Sequence, residues 1–341
     1  MAANGIRSPA VCNGESESEP LSVLSDSSAR VRRVTGLRVT LMALTVASAA
    51  LRAQVPPTVA AQNRALADHM NVAAAVHLYA PLQERAPYRG VRVERDIRYG
   101  ASAHERMDLF APMNSEPGAE RTTTLRAVLV LAPPESDDHR SLGAGRLYDN
   151  VALWAARHGL IGITMRRRDD DAAWPSGPRD VAALVGYLQA HIAQSGGDPE
   201  RVLFIGSGRG GLQVMSYLAH HEYWCCHGPG VAALALLGAP MNLAARGGGK
   251  GSLPDVDTTH SDLPGLDEVY LPVFIGIPQY VDFATQRAAT QLQQELCRRG
   301  RCPTVRHFTN HGVLSAVLSF DTSDESVSGQ LLAWLRQVVR L

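Results

Sequence analysis

The sequence predicts an α/β protein: a single eight-stranded, mostly parallel sheet with helices on both faces. Three observations lead to that expectation. From Ala127 onward, short continuous apolar runs alternate with amphipathic stretches at helical spacing, as a parallel sheet covered on both sides requires. Near the middle of the chain a glycine-rich turn, Gly206-Ser207-Gly208-Arg209-Gly210-Gly211, stands between an apolar strand and a helix. No internal repeat and no second change of pattern marks a further domain, so residues 90–341 read as one.

Taken in order, Val91 to Tyr99 alternates in the manner of an edge strand, and Arg106 to Ala111 gives a second strand across the turn Gly100 to Glu105. Polar Asn114 to Thr124 reads as a surface loop. Ala127 to Ala132 is the first buried strand. A helix follows over Tyr148 to His158, with Val151, Trp154 and Ala155 on one face, and then the strand Leu160 to Met165. Pro178 to Gln194 carries Val181, Leu184, Val185, Leu188 and Ile192 at helical spacing, and Pro178 suits a first turn. Val202 to Ile205 is the strand before the glycine turn, and Leu212 to His220 the helix after it. Val231 to Leu237, Leu271 to Ile277 and Thr304 to Phe308 complete the strands, with helices over Ala284 to Arg298 and Ser328 to Leu341.

Composition and the front end narrow the partners. The 33 Lys+Arg balance the 33 Asp+Glu, so no long-range field draws this chain to nucleic acid or to an anionic membrane surface. The block Arg166 to Asp171 cancels its own charge and reads as a solvated loop. Residues 1–29 are rich in Ser, Glu, Asn and Gly and are expected to be a disordered extension. Residues 30–53 place Arg30, Arg32 and Arg33 ahead of the apolar run Val39 to Leu51 and small residues, the layout of a signal peptide, which implies a secreted or periplasmic protein. That run falls short of the about 20 residues a bilayer span needs. Residues 54–89 form an N-terminal arm with an Ala-rich helix over Val59 to Leu78. Cys297 and Cys302 bracket a loop short enough for a disulfide. The stretch His220 to His227 contains Cys225 and Cys226 without a standard ligand spacing, so neither a metal nor a cofactor is expected. Arg246 to Gly251 lacks the strand and helix of a phosphate loop and reads as a flexible lid segment.

A glycine turn between strand and helix is the setting of a nucleophile elbow, G-x-S-x-G. Laid on Gly206 and Gly210, that pattern puts Gly208 where the serine belongs. The surrounding motifs are more specific. Trp174-Pro175-Ser176-Gly177-Pro178-Arg179-Asp180 before a long helix, then Gly197-Asp198-Pro199, a strand and the elbow, resemble the small bacterial carboxylesterase branch of the α/β-hydrolase fold, which includes feruloyl-esterase-like and kynurenine-formamidase-like proteins. Tyr99-Gly100 with Met107 to Pro112 is similar to that branch's opening, and Asp321 to Asp324 to its closing segment, so the resemblance covers residues 90–341.

The resemblance implies a serine hydrolase, yet each required group is altered. Gly208 has no side chain to attack with, and a glycine relaxes a turn that takes a positive φ. Ser207 is displaced by one residue and its hydroxyl should point away from a pocket. The oxyanion loop falls on Pro133, Pro134 and Glu135; proline has no N–H to donate, which leaves the backbone N–H of Arg209. The acid position falls on Val281, beside Asp282, and the histidine position on Val313 or, by another anchoring, on His311. Two readings of function follow, with a third alongside. The first is an α/β-hydrolase-fold protein that has lost serine catalysis and binds a small ester-like ligand or a protein partner. The second is an active carboxylic-ester hydrolase with a displaced triad of Ser207, Asp282 and His311. The third is a water activated by His311, Glu135 or His139.

Overall fold

The computed structural model describes residues 55–67, 72–113, 124–134, 146–166, 174–224, 228–241 and 260–339. The extension at 1–29, the signal segment at 30–53, most of the loop at 114–124, Glu135, His139, Arg167 to Asp171, Cys225 to His227 and the 246–251 segment lie outside these residues. All described residues belong to one compact unit, Ala49–Leu341.

The strands are β1 (Val91–Arg98), β2 (Arg106–Pro112), β3 (Arg126–Ala132), β4 (Ile161–Met165), β5 (Gly197–Ser207), β6 (Ala233–Leu237), β7 (Val273–Tyr280) and β8 (Thr304–Gly312). They form one eight-stranded sheet in the order β1-β2-β4-β3-β5-β6-β7-β8. β3 to β8 run parallel, while β1 and β2 form an antiparallel hairpin whose second strand pairs antiparallel with β4. The helices are α1 (Pro57–Ala67), α2 (Val72–Tyr79), α3 (Asp149–Arg157), α4 (Ser176–His191), α5 (Gly208–Ala219), α6 (Phe283–Arg298), α7 (Val313–Leu318) and α8 (Ser328–Val338).

Why the central strands are apolar at every position is visible in β3. Val128, Val130 and Ala132 enter one apolar cluster with Val181, Leu184, Val185 and Leu188 of α4 and Val214 of α5. Ala127, Leu129 and Leu131 point the other way, into a cluster with Trp154 of α3 and Leu331, Trp334 and Leu335 of α8. Side chains alternate across a strand, so a sheet covered on both faces favours apolar residues on both, and the exceptions, such as Thr164 on β4 and Ser207 on β5, are hydrogen-bonded. Each buried Leu or Val stabilises the fold by about 1.5–3 kcal/mol relative to exposure.

Several elements depart from expectation. The Ala-rich arm is two helices rather than one over Val59 to Leu78, and it is built into the core: Val59, Val76 and Tyr79 sit in the second cluster. Asn63 of α1 is buried and donates to Tyr79 Oη (2.9 Å) and to the Asn310 carbonyl (3.0 Å). β1 does lie at the sheet edge, but its alternation breaks at a bulge between Glu94 and Ile97, where Asp96 takes φ +58° and its N–H donates to Asp108 Oδ1. β8 runs past Phe308 to Gly312, and α7, which no periodicity announced, begins at the next residue. Ser315 ties that junction, its Oγ accepting from the Gly312 N–H at 2.8 Å. Cys297 and Cys302 are joined by a disulfide between α6 and β8.

Candidate active site at the elbow

The elbow sits at the carboxyl end of β5, in the middle of the sheet. Gly206 is in register with Ala132 of β3 and Leu236 of β6, and Ser207 with Leu237. The helix that follows rests on this end of the sheet because its glycines allow it. A Cβ at Gly210 would stand 2.3 Å from the Ala132 carbonyl oxygen, and one at Gly206 would stand 2.5 Å from Gly211 Cα.

Gly208, the first residue of α5, has φ +48°, the left-handed conformation expected of the nucleophile position. Its surroundings are closed to a side chain. A Cβ there would be 2.8 Å from Pro134 Cβ, 3.1 Å from Pro134 Cα and 3.3 Å from Val313 Cγ1. Pro133 and Pro134 are both buried, and neither has an N–H to donate. Val313 opens α7 against this spot, and its other methyl would lie 2.9 Å from a Cβ at Gly238. Of the two anchorings for the histidine position, the geometry therefore puts Val313 beside the elbow. A cavity of about 10 Å³, room for about one water, lies nearby among Leu236, Gly238, Ala239, Ile275, Ile277 and Ala289.

The displaced groups do not meet. Ser207 is fully buried in extended backbone (φ −114°, ψ 140°), and its hydroxyl donates to the Leu237 carbonyl at 3.1 Å. Asp282 caps α6: Oδ1 accepts from the Thr285 N–H at 2.7 Å and Oδ2 from the Thr285 hydroxyl at 2.9 Å. Val281 packs against the first apolar cluster. His311 is fully buried at the end of β8 and turns to neither Ser207 nor Asp282. Its Nε2 lies 2.8 Å from Ser326 Oγ and 3.4 Å from Asp324 Oδ2. The Ser326 hydroxyl donates to Asp324 Oδ1 at 2.6 Å, so Nε2 is the atom that carries the proton toward Ser326.

The partner of His311 is thus Asp324 rather than Asp282, for a plain geometric reason. Asp282 is consumed by the first turn of a helix, while the segment before α8 brings Asp324 under the end of β8. Burial alone would push the Asp324 carboxyl up, but the nearby His311 ring and the hydrogen bonds from the Ser326 hydroxyl and N–H outweigh it and hold it below its ordinary value. The same polar pocket reaches the arm: burial lifts the Tyr79 hydroxyl well above its usual range, with the Asp324 charge adding to the effect. Sequence reasoning placed Asp321 to Asp324 before the last helix but had no signal linking it to His311. On the neighbouring strand, the Tyr280 hydroxyl donates to Asn310 Oδ1 at 3.3 Å.

Fold, strand order and elbow together define an α/β-hydrolase fold. Solved structures of esterases share it. Esterase B from Lactobacillus rhamnosis (HN001) superposes with a TM-score of 0.56 at 15% identity, over 82% of this chain and 94% of that one. A bacterial heroin esterase gives 0.58 at 15% identity, over 79% and 91%. MGS-M1, an alpha/beta hydrolase enzyme from a Medee basin deep-sea metagenome library, gives 0.51 at 16%, over 74% and 100%. At these identities the likeness establishes the fold. No family model matches the chain, and no curated protein matches it.

Proposed function

We propose that this chain is a carboxylesterase-like protein of the α/β-hydrolase fold that has lost serine-hydrolase catalysis and serves as a ligand- or protein-binding module. One observation carries the reading. At the position where the fold presents its nucleophile there is a glycine, and Pro134 and Val313 are packed within reach of the side chain it lacks. Among the described residues, no hydroxyl and imidazole face each other there. Loss of the nucleophile alone costs a serine hydrolase about 10⁶-fold in kcat. The residual catalysis of such variants comes from the oxyanion hole and binding, and here the oxyanion loop contributes two prolines. The disulfide between Cys297 and Cys302 supports the further reading that the protein matures in an oxidising compartment and is secreted.

A fluorophosphonate serine probe and hydrolysis of a short-chain p-nitrophenyl ester test the loss. Neither labelling nor turnover above buffer is expected. Labelling that disappears in Ser207→Ala, or turnover that disappears in His311→Ala, would restore the displaced-triad enzyme. For the binding role, a saturable rise in Tm with a short-chain ester or its acid is the expected sign of a small ligand. A flat response across such a series sets the ester-like ligand aside in favour of a protein partner.

A further inference from the structure

The two edges of the sheet are not alike. β1 is interrupted by the bulge between Glu94 and Ile97, and its Arg92 and Glu94 pair with each other. β8, at the other edge, is regular over Thr304 to Phe308, in unbroken register with Phe274 to Pro278 of β7. Among the described residues, Thr304 to Thr309 make no backbone–backbone bond outside that ladder. The arm meets β8 at its other end, where Asn63 donates to the Asn310 carbonyl. The start of the strand is fixed by the disulfide, which ties Cys302 to the last turn of α6.

This edge is also basic. From Leu296 to Phe320 the sequence holds Arg298, Arg299, Arg301 and Arg306 and no Asp or Glu, in a chain whose charges balance overall. Arg298 and Arg299 are engaged by Glu295 and Asp267, and Arg301 by the carbonyls of Asp267 and Val269. Arg306 and His307 are exposed, and among the described residues neither has a carboxylate partner; the Arg306 guanidinium donates to the Val305 carbonyl of its own strand at 2.8 Å. Phe308 enters the cluster that holds Trp334 of α8, and Val305 packs against the one that holds Ala289 and Leu292 of α6. Alternation therefore puts Arg306 on the α8 side of the edge and His307 on the α6 side. A row of unpaired backbone groups is thus flanked by a guanidinium on one face and an imidazole on the other.

We propose that the Thr304–Thr309 edge of β8 is a docking strand for an extended acidic segment of a partner protein, which lengthens the sheet by one strand and sets carboxylates against Arg306 and His307. The proposal rests on the reading of this chain as a binding module and names the chemistry of its partner. Edge N–H and C=O groups give such a complex its affinity, and the side chains beside them give it selection. Opposite charges across a strand pair are favourable and like charges are not. A second copy is disfavoured on that ground, because β8 against β8 sets one basic edge against another. The charges that keep copies apart leave the edge open to a segment of opposite sign.

The test is fluorescence anisotropy of a labelled, capped octapeptide, Thr-Val-Glu-Glu-Val-Glu-Glu-Thr, titrated with the full chain. Saturable binding is expected, weakening several-fold as salt rises from about 0.05 to 0.5 M, with NMR amide shifts at Thr304 to Thr309 and none on β1. Arg306→Glu should weaken binding several-fold at an unchanged Tm, since that side chain is exposed. The same peptide N-methylated at every peptide nitrogen keeps its charge but cannot donate to an edge, and it should not bind; nor should the version with Lys in place of Glu. No saturable binding at millimolar peptide, equal binding by the N-methylated peptide, or full binding to Arg306→Glu would each overturn the proposal. A dimer formed through β8, seen by light scattering and by shifts at Thr304 to Thr309, would overturn it as well. The two readings fail separately: ester turnover or fluorophosphonate labelling removes the loss of catalysis and leaves the edge to the peptide, whereas a peptide that does not bind a catalytically silent chain removes the docking edge alone.

Discussion

Replacing Gly208 by serine returns the missing hydroxyl to the elbow, and the structure sets what that replacement costs. A residue with a Cβ at φ +48° is in the left-handed region, which costs about 1–2 kcal/mol. The Cβ must also enter space held by Pro134, whose Cβ and Cα would be 2.8 and 3.1 Å away. Both are ring or backbone atoms that cannot swing aside, so the further cost is that of overpacking, about 1–3 kcal/mol. The sum is about 2–5 kcal/mol, which for a domain of this size corresponds to a fall in Tm on the order of 10 °C. Thermal unfolding followed by circular dichroism reads it directly. Gly208→Ala carries the same Cβ and should lose as much as Gly208→Ser, so the hydroxyl itself is not at fault. In a double-mutant cycle, Pro134→Gly should couple favourably with Gly208→Ala by the overpacking share, about 1–3 kcal/mol. Gly208→Ser should also remain unlabelled by a fluorophosphonate, since the side chain facing it is Val313. An alanine variant as stable as its parent, a cycle without coupling, or robust labelling of the serine variant would each refute this reasoning.

Two further perturbations concern the polar pocket behind the elbow. His311→Leu strands the buried Asp324 carboxylate and should cost about 3–5 kcal/mol in urea unfolding, more than a lost contact alone. Because the folded pKa of Asp324 is lowered, its contribution is complete above the ordinary carboxylate value of about 4 and disappears as pH falls through the lower folded value. Asp324→Asn should therefore flatten the acid limb of the stability curve, measured as urea midpoints against pH, and an unchanged acid limb would count against the pair. In the arm, Asn63→Ala removes donors to Tyr79 Oη and the Asn310 carbonyl and is expected to cost about 1–3 kcal/mol. A chain starting at Gly90 lacks Val59, Val76 and Tyr79 from the second cluster and should aggregate or unfold, as size-exclusion chromatography would report.

Much of the fold was legible because it rests on local rules. Apolar runs such as Val202 to Ile205 and Ala233 to Leu237 are strands because both of their faces are covered, and α4 declares itself through Val181, Leu184, Val185 and Leu188. The altered elbow was equally plain, since G-x-S-x-G is a contiguous pattern and a glycine at its centre is visible on sight. What escaped was set by contacts between distant residues. Nothing near His311 says that its partner is Asp324, because the pairing depends on how the segment before α8 passes beneath β8. The arm was legible only as an appendage packed on a domain beginning near residue 90, whereas its place in the core follows from Asn63 reaching a carbonyl on β8. The bulge at Asp96 and the short helix α7 are tertiary outcomes as well, tied by Asp108 and Ser315 respectively.

The packing of Pro134 and Val313 over Gly208 makes the elbow a ratchet. A serine at 208 alone collides with the proline ring and finds no base; a histidine at 313 alone faces no hydroxyl; a smaller residue at 134 alone opens a hole with nothing to fill it. Each step toward a serine site is penalised or idle until the others have been taken. On the reading proposed above, in which serine catalysis has been lost, no downhill sequence of single replacements at these three positions leads to a working hydrolase.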